Sequence, residues 1–306
     1  MNLLMVGLRM LATLLYATTN HIDRFLVTKT YKEPSTKALM VFSTVVAGIV
    51  TLPITLVLTK FTIDFNWLAF ILVFLSAVSF MVSTYLYFLA LEFSNTTLTV
   101  AMLQLIPVFN FFISLIFFGQ TIKPIQIIGA LIIITAAVVM TTDFKKLKRE
   151  KTSWRFLLLM TFSSLMYAVY HQLFVSSIDC SNYGTAANLY QVALLIIGLF
   201  LWFRRSYREQ FIDVIKANGR LFLGINVLNE LLNSAAGLLV NYVAIFLPLA
   251  IVNTLNGFQP AFVLILGLIG AKFWPKIFDD KLSRREAVKS AICIAVILVG
   301  LYIMLS

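Results

Sequence analysis

Long apolar runs alternate with short polar breaks along the chain, and this pattern predicts a bundle of membrane helices. About 20 apolar residues span a bilayer core about 30 Å thick. Ten runs of this kind occur: Leu3–Thr28, Ala38–Leu58, Trp67–Leu91, Thr97–Phe118, Pro124–Met140, Ser153–Ser176, Thr185–Phe203, Leu221–Ile245, Leu249–Phe273 and Ala287–Leu305. Membrane β-strands would alternate and span in about ten residues, which these runs do not. We therefore predict an all-α membrane protein with ten transmembrane helices.

The overall composition supports this interpretation and argues against an enzyme. Of 306 residues, 60% are hydrophobic and only 12% are charged, with a mean hydropathy of +0.94, whereas soluble domains are about 25% charged. The two cysteines, Cys180 and Cys293, lie in different predicted regions, which suggests neither a disulfide framework nor a metal site. No phosphate-binding glycine loop or nucleophile motif occurs either. We expect no catalytic residues, metal or cofactor.

The placement of the 24 basic residues predicts the topology. Only Arg9, Lys60 and Lys123 lie on one side of the predicted bundle, and the others lie in or beside loops on the opposite side. The positive-inside rule makes that second side cytoplasmic, next to anionic lipid headgroups, and places both termini outside. The net charge of +11 is thus a topology signal, so we expect no nucleic-acid partner in this multi-pass protein of the cell (inner or plasma) membrane.

The two halves of the chain resemble each other. Leu8–His21 and Leu159–Gln172 both contain Tyr-Ala followed by a polar pair, and Leu103–Phe109 parallels Asn256–Phe262. Each half has five predicted helices, an odd number, so the second copy must be inverted in the membrane. Inverted repeats are characteristic of transporters that bind their substrate near the midplane. We predict repeats at residues 1–143 and 153–306, joined by a basic cytoplasmic linker at 144–152.

The chain resembles the EamA-type drug/metabolite transporter superfamily. The resemblance covers essentially the whole chain and is closest over Leu103–Met140, with its Leu-x-Pro-Val-Phe core, Phe-Gly-Gln turn and Pro124 segment; Val299–Met304 repeats part of it. It implies a ten-helix carrier built from two inverted repeats. Two features depart from the family: Gln120 replaces a common Glu, and the charges place the termini outside, whereas many members have both in the cytoplasm.

We therefore expect a secondary, gradient-driven transporter of a small neutral, zwitterionic or cationic organic solute, working as a monomer or homodimer. Protons are the expected coupling ion if there is one, and facilitated exchange is the other possibility. The alternative is a translocator of a lipid-linked headgroup, since 27 phenylalanines are compatible with a Phe-lined groove. Few charges point inward, which disfavours a multiply anionic substrate; an Arg9 facing the cavity would reverse that inference.

Only two of thirteen acidic residues, Asp23 and Glu230, lie within predicted helices. An ionisable side chain there costs several kcal/mol and is a functional candidate. Glu230 lies near the midplane and shares a helix face with Asn226 and Asn233. We expect Glu230 to bind a proton or a cationic group and the asparagines to bind polar parts of a substrate. The alternative is a neutral carboxyl that holds two helices together.

Asp23 lies closer to the cytoplasmic face, with Asn20 on the same side of its helix. These two residues predict either the inner half of a polar pathway or an interfacial helix end with a stabilising ion pair. His21 and His171 are the only histidines, and either a proton-transfer role or simple hydrogen bonding across helices fits them.

The remaining candidates are polar or aromatic residues expected to line a pocket, and two prolines. The pocket candidates are Tyr16, Gln104, Tyr167, Tyr170, His171, Asn256 and Gln259, with Tyr85 and Tyr87 as further aromatic possibilities. Pro107 and Pro260 occupy equivalent helices, where each frees a backbone carbonyl and permits bending. A shared helix hinge is one interpretation, and inherited architecture is the other.

Overall fold

The computed structural model describes residues 3–28, 36–118, 123–141, 151–247, 252, 255–273 and 284–305. Within these ranges all regular elements are helical. They are α1 (Leu3–Thr28), α2 (Thr36–Leu58), α3 (Trp67–Leu91), α4 (Thr96–Met102), α5 (Leu105–Phe118), α6 (Pro124–Thr141), α7 (Lys151–Asp179), α8 (Tyr183–Phe203), α9 (Arg205–Phe246), α10 (Gln259–Phe273) and α11 (Arg284–Leu305).

The predicted all-helical architecture is confirmed for the residues that the structure describes, while the count of ten transmembrane helices stays a prediction. Eight candidate spans in the described residues are long and apolar enough to cross a membrane, and two further apolar helices, Pro124–Ala136 and Gln259–Phe273, are shorter. Large apolar side chains such as Leu131 and Phe200 are exposed on the outside of the bundle, as expected where lipid is the solvent. The predicted linker at 144–152 lies almost entirely outside the described residues.

Asparagine side chains fix the start of three helices. Asn66 accepts hydrogen bonds from the backbone N–H groups of Leu68 and Ala69 at the start of α3. Asn95 caps α4 and Asn182 caps α8 in the same way. An N-cap oxygen satisfies N–H groups that the helix itself leaves without partners, which stabilises the helix end by about 1 kcal/mol.

The sequence predicts a loop at residues 204–220, between the apolar runs that end at Phe203 and begin at Leu221. This prediction is wrong, because the segment from Arg205 onward is helical. It forms the first part of α9, which is interrupted at Gly219, where φ is 70° and ψ is −164°. Tyr207, Phe211 and Val214 pack against the core of the bundle, with the rings of Phe211 and Phe42 4.8 Å apart. These residues recur at the spacing of an amphipathic helix. The many charged residues of the segment led to its interpretation as a loop.

The helix predicted over Thr97–Phe118 is broken in the structure. α4 ends at Met102, a turn follows, and α5 begins at Leu105. Pro107 lies in the first turn of α5, where a missing N–H leaves no hydrogen bond unmade. Pro260 occupies the corresponding place in α10, which follows a turn at residues 257–258. Both prolines therefore mark helix breaks rather than bends within continuous helices.

A π-helical turn widens α2 at Phe42–Val46. Such turns are rare and occur frequently at functional sites. Gly198 of α8 packs directly against this turn, since a Cβ added to Gly198 would lie 2.8 Å from Thr44 Cβ and from Val45 Cγ2. The turn is thus held between neighbouring helices, and it directs Ser43 towards α9.

Helices from the two halves of the chain interlock. α1 packs against α9 and α10, α7 packs against α3 and α5, and α6 packs against α11. α6 and α11 approach closely at Gly300, whose added Cβ would lie 3.1 Å from the carbonyl oxygen of Gly129. Small residues permit such close contact between membrane helices. A cavity lies at the interface between the two halves.

Candidate functional site

A central cavity of about 190 Å³ is enclosed by helices of both halves. Two groups of its lining side chains have different chemistry. We call the first the acidic wall: Asn20, Asp23, Ser43, Tyr87, Asn229 and Glu230. We call the second the aromatic wall: Phe80, Tyr167, Tyr170, Phe174 and Tyr190. A single chamber therefore offers carboxyl groups and ring faces to the same ligand.

Glu230 projects from α9 and is only 7% exposed. Ser43, in the π-helical turn of α2, donates a hydrogen bond of 2.7 Å to Glu230 Oε1. A buried carboxylate needs such donors, because removing it from water without compensation is costly. The widened turn of α2 therefore supplies a partner that holds the Glu230 carboxyl beside the cavity.

Asp23 of α1 lies in the same cavity and accepts two hydrogen bonds. Asn229 Nδ2 donates to Asp23 Oδ1 at 2.7 Å, and Tyr87 Oη donates to Asp23 Oδ2 at 3.2 Å. Because Asn229 precedes Glu230 on α9, this contact also holds α1 against α9 beside the second carboxyl. Asp23 and Glu230 line the same cavity.

A chain of hydrogen bonds continues from Asp23 to α10. Asn20 Nδ2 donates to Tyr87 Oη at 2.8 Å, and Gln259 Nε2 donates to Asn20 Oδ1 at 2.7 Å. Each link satisfies a buried polar group. The chain passes from α9 through α1 and α3 to α10, so it connects helices of both halves.

The aromatic wall is built around Tyr170. Its ring centroid lies 5.3 Å from Phe80, 5.6 Å from Tyr190 and 5.1 Å from Tyr167, in tilted or edge-on arrangements. Such geometry is favourable for ring pairs. Exposed ring faces attract organic cations as well as apolar groups. This wall can therefore hold the apolar or cationic part of a small molecule.

A second cavity of about 50 Å³ adjoins the central one and shares Tyr16, Tyr167, Tyr170 and Asn256 with it. We call it the Arg9 cavity, because Arg9 is its charged side chain, only 2% exposed. The Arg9 guanidinium donates to Val252 O at 3.1 Å, Thr13 Oγ1 at 2.7 Å and Asn256 Oδ1 at 2.9 Å. The sequence analysis used Arg9 as a topology signal and noted that an Arg9 facing the cavity would reverse the inference against an anionic substrate. Arg9 does line a cavity, so that inference no longer holds.

Most of the residues predicted to form a site line one of the two cavities. Those on the central cavity are Tyr16, Asn20, Asp23, Tyr167, Tyr170, Glu230, Asn233, Asn256 and Gln259. His171 and Pro107 line only the Arg9 cavity. The structure thus brings together candidates from both halves.

Five predicted residues are not among those that line either cavity, and Tyr85 of α3 is one of them. His21 donates from Nε2 to Val263 O at 2.9 Å, and Asn226 Nδ2 donates to Phe222 O of its own helix at 2.9 Å. Gln104 is fully buried at the break between α4 and α5, with no partner for its side chain in the described part of the chain. Pro260 is buried in α10.

Sequence reasoning missed Asn229, Ser43, Phe80 and Tyr190. The position of Asn229 directly before Glu230 could have indicated it, but the sequence analysis considered only the helix face that Glu230 shares with Asn226 and Asn233. Ser43 had no signal in the sequence, because its direction depends on the π-helical turn. Among the described residues, no group of three or more His, Cys, Asp or Glu side chains is arranged to hold a metal ion.

The described residues form a helical bundle with eight candidate membrane spans and an internal cavity lined from both halves of the chain. Residues 3–142 match the model of the EamA-like transporter family. The match covers a little under half of the chain and agrees with the resemblance to the EamA-type drug/metabolite transporter superfamily that the sequence motifs indicate.

Comparisons with individual proteins add little to this match with the family model. No curated protein matches the chain. One of the similar solved structures, titled "Crystal structure of protein", is 14% identical, has a TM-score of 0.48, and matches over 98% of this chain and 94% of its own.

Proposed function

We propose that the protein is a secondary transporter that carries a small neutral, zwitterionic or cationic organic solute through the central cavity. The observation that carries this proposal is a pair of carboxyls, the buried Glu230 and the half-buried Asp23, in the same cavity as the aromatic wall. Carboxyls within membrane helices are costly to bury and are commonly retained for function. An ammonium group and an apolar body would find complementary surfaces there.

The proposed architecture is ten membrane helices in two inverted repeats, residues 1–143 and 153–306, joined at 144–152. Helix packing supports it. α1 begins the first repeat and α7 the second, while α3 is the third helix of the first repeat and α9 the third of the second. The first helix of each repeat therefore packs against the third helix of the other, as the pairs α1–α9 and α7–α3. α1–α10 and α7–α5 form another equivalent pair. A two-fold relation between the repeats accounts for both correspondences.

Transport would proceed by alternating access around the cavity. The helix breaks before Pro107 and Pro260 provide places where α5 and α10 can change direction without breaking regular hydrogen bonds. Glu230 and Asp23 would release a proton when a cationic group binds and regain it when that group leaves. Proton exchange of this kind couples the solute to a proton gradient. Without such coupling, the same cavity would support facilitated exchange.

The proposed orientation places both termini outside the cell membrane and the basic segments in the cytoplasm. The start of α9 fits this arrangement, because its exposed charges include Arg205, Arg208 and Glu209, while Phe211 and Val214 face the bundle. An amphipathic helix with basic residues is suited to a surface of anionic headgroups. The proposal requires no partner beyond the bilayer, whether the carrier acts as a monomer or as a homodimer.

A thermal-unfolding screen of the purified protein tests this function. The panel contains amino acids, amines, other metabolites and soluble lipid headgroups, each at about pH 6 and pH 8. A ligand at about 100 times its Kd stabilises a protein by roughly 2.7 kcal/mol, which a melting curve detects. We expect an amine-bearing compound to give a shift that is larger at pH 8, because protons compete with it for the carboxyls.

Two variants make the screen specific. Glu230→Gln removes the buried carboxyl, and Glu209→Gln removes an exposed one that pairs with Arg205 at 2.6 Å. The shift should disappear in the first and persist in the second. A shift that survives Glu230→Gln would leave this carboxyl with a role in helix packing only. If the lipid headgroups alone gave a shift, the lipid-headgroup translocator would replace the solute carrier as the best account.

A further inference from the structure

Arg9 is a buried positive charge without a nearby counter-charge. It is 2% exposed, and among the residues that the structure describes no Asp or Glu lies within ion-pair distance of its guanidinium. The acidic residues of the central cavity are remote, since Asp23 lies fourteen positions further along α1, about 21 Å in axial rise. A feature of this kind calls for an explanation, because burying an unpaired charge costs several kcal/mol.

The hydrogen bonds of Arg9 leave donors for a further group. Its three bonds to Val252, Thr13 and Asn256 use one N–H on each nitrogen. Each terminal nitrogen carries a second N–H, and the planar guanidinium is well shaped to bind a carboxylate. Since Arg9 lines the cavity named after it, an anion there would be within its reach.

Other side chains of the Arg9 cavity point to the same ligand. Asn110 is 8% exposed, and its Oδ1 has no hydrogen-bond partner in the described part of the chain. An amide oxygen accepts hydrogen bonds, so this atom suits an N–H donor such as the ammonium group of a zwitterion. His171 lines the cavity as well. A volume of about 50 Å³ accommodates a group as small as a carboxylate.

We propose that Arg9 binds the carboxylate of the transported solute, and that the carrier therefore takes carboxylate-bearing zwitterions. The inference rests on the proposed transport function. Because the two cavities share Tyr16, Tyr167 and Tyr170, a solute held at Arg9 extends into the central cavity among these rings. While the carboxylate is held at Arg9, an ammonium group a few ångströms away would lie near the ring faces, which attract cations. The ammonium group would reach Asp23 and Glu230 only at a later stage of transport, after the solute has left Arg9 and moved along the central cavity.

Arg9 also has a structural role that the experiment must separate from anion binding. It donates to the carbonyl oxygen of Val252 and to Thr13, whose hydroxyl lies 2.9 Å from the Arg9 carbonyl oxygen and 3.5 Å from that of Leu255. The bond to Val252 satisfies a carbonyl shortly before the turn at residues 257–258 and ties α1 to that segment. A purely structural arginine would stabilise the fold without responding to added anions.

The experiment is thermal unfolding of the purified full-length protein in acetate, at constant ionic strength. The balancing salt is a bulky sulfonate, which is too large for the Arg9 cavity. We expect 100 mM acetate to raise the melting temperature of the wild type by about 3 °C. Arg9→Gln should lose this response. Arg205→Gln, which removes an exposed arginine side chain, should keep it.

A second variant covers the case in which Arg9→Gln does not fold. Asn256→Asp changes one atom and places a carboxylate where the Asn256 amide oxygen now lies 2.9 Å from Arg9 Nη2. This internal carboxylate should satisfy the guanidinium and weaken the response to acetate at least tenfold, with Arg9 still present. An undiminished response in Asn256→Asp would overturn the proposal, as would one in Arg9→Gln.

Matched probes distinguish a solute carboxylate from a free anion. 6-Aminohexanoate and hexanoate carry the carboxylate, hexylamine lacks it, and chloride is the small free ion. We expect the two carboxylates to act at lower concentrations than chloride, through Arg9, and 6-aminohexanoate to be the stronger. Equal responses to chloride and to the carboxylates, or none to any anion, would overturn the proposal. Because this assay measures binding alone, a failure of transport in liposomes would be a separate result.

Discussion

α1 and α7 have related sequences but give the cavity opposite chemistry. Tyr16 and Tyr167 correspond at an offset of 151 residues, and both side chains line the cavity. At the same offset, Thr19 corresponds to Tyr170 and Asp23 to Phe174. The equivalent positions are thus polar or acidic on α1 and aromatic on α7. The fold supplies matching positions in the two halves, and divergence at these positions creates a chamber with one acidic and one aromatic wall.

We expect Tyr170→Ala to destabilise the aromatic wall more than any other substitution of this section. Tyr170 contacts Phe80, Tyr167, Phe174 and Tyr190, so truncation removes the centre of the ring cluster. We expect a loss of about 3 kcal/mol in the free energy of unfolding, typical of a large aromatic residue replaced by alanine. Thermal or denaturant unfolding of the purified protein measures this loss.

Tyr170→Phe is the matched control, because it keeps the ring and removes only the hydroxyl. It should retain most of the stability that alanine loses. Equal losses in the two variants would mean that the hydroxyl, rather than ring packing, stabilises this wall.

Asp23→Asn removes a carboxyl group from the acidic wall and changes the shape of the side chain very little. The substitution removes the charge that accepts from Asn229 and Tyr87. We expect binding of an amine-bearing ligand to weaken about a hundredfold, which corresponds to about 2.7 kcal/mol. Isothermal titration with an amine-bearing hit from the screen measures the change. Asp179→Asn, at the end of α7, is the control and should bind normally; a similar loss there would point to a non-specific effect of charge.

A smaller effect is expected where α8 supports the π-helical turn. Gly198→Ala places a methyl group 2.8 Å from Thr44 and Val45, so α2 or α8 must shift. Overpacking of this kind costs about 1–3 kcal/mol, and the shift should also disturb the Ser43–Glu230 hydrogen bond. Gly224→Ala is the control, because no atom lies within 4 Å of the added Cβ, and it should leave the melting temperature unchanged or slightly higher. Equal melting temperatures in the two variants would contradict this prediction, because the π-helical turn would then accommodate the added methyl group without loss of stability.

Much of this molecule could be predicted from local sequence signals. Apolar runs of membrane length gave the helical architecture, and the rarity of intramembrane carboxyls singled out Asp23 and Glu230. The helix breaks at residues 103–104 and 257–258 had only their nearby prolines as signals. A proline is equally consistent with a bend, so a single sequence did not distinguish the two cases.

The partners of the candidate residues were not predictable, because they depend on helix packing. Ser43 reaches Glu230 only through the π-helical turn, and Asn229 reaches Asp23 only because α9 lies against α1. Arg9 is the clearest example. Near the start of an apolar run it suggested the membrane surface, whereas contacts with residues more than 240 positions away bury it.

The central claim is that Glu230 exchanges protons with the solute in the acidic wall. Proteoliposomes containing a lumenal pH-sensitive dye test it directly, with an amine-bearing hit from the screen added outside and no imposed gradient. Uptake of a cationic group in exchange for protons should make the lumen alkaline in the wild type and in Glu209→Gln, but not in Glu230→Gln. Alkalinisation of the same rate and extent in Glu230→Gln would contradict the account.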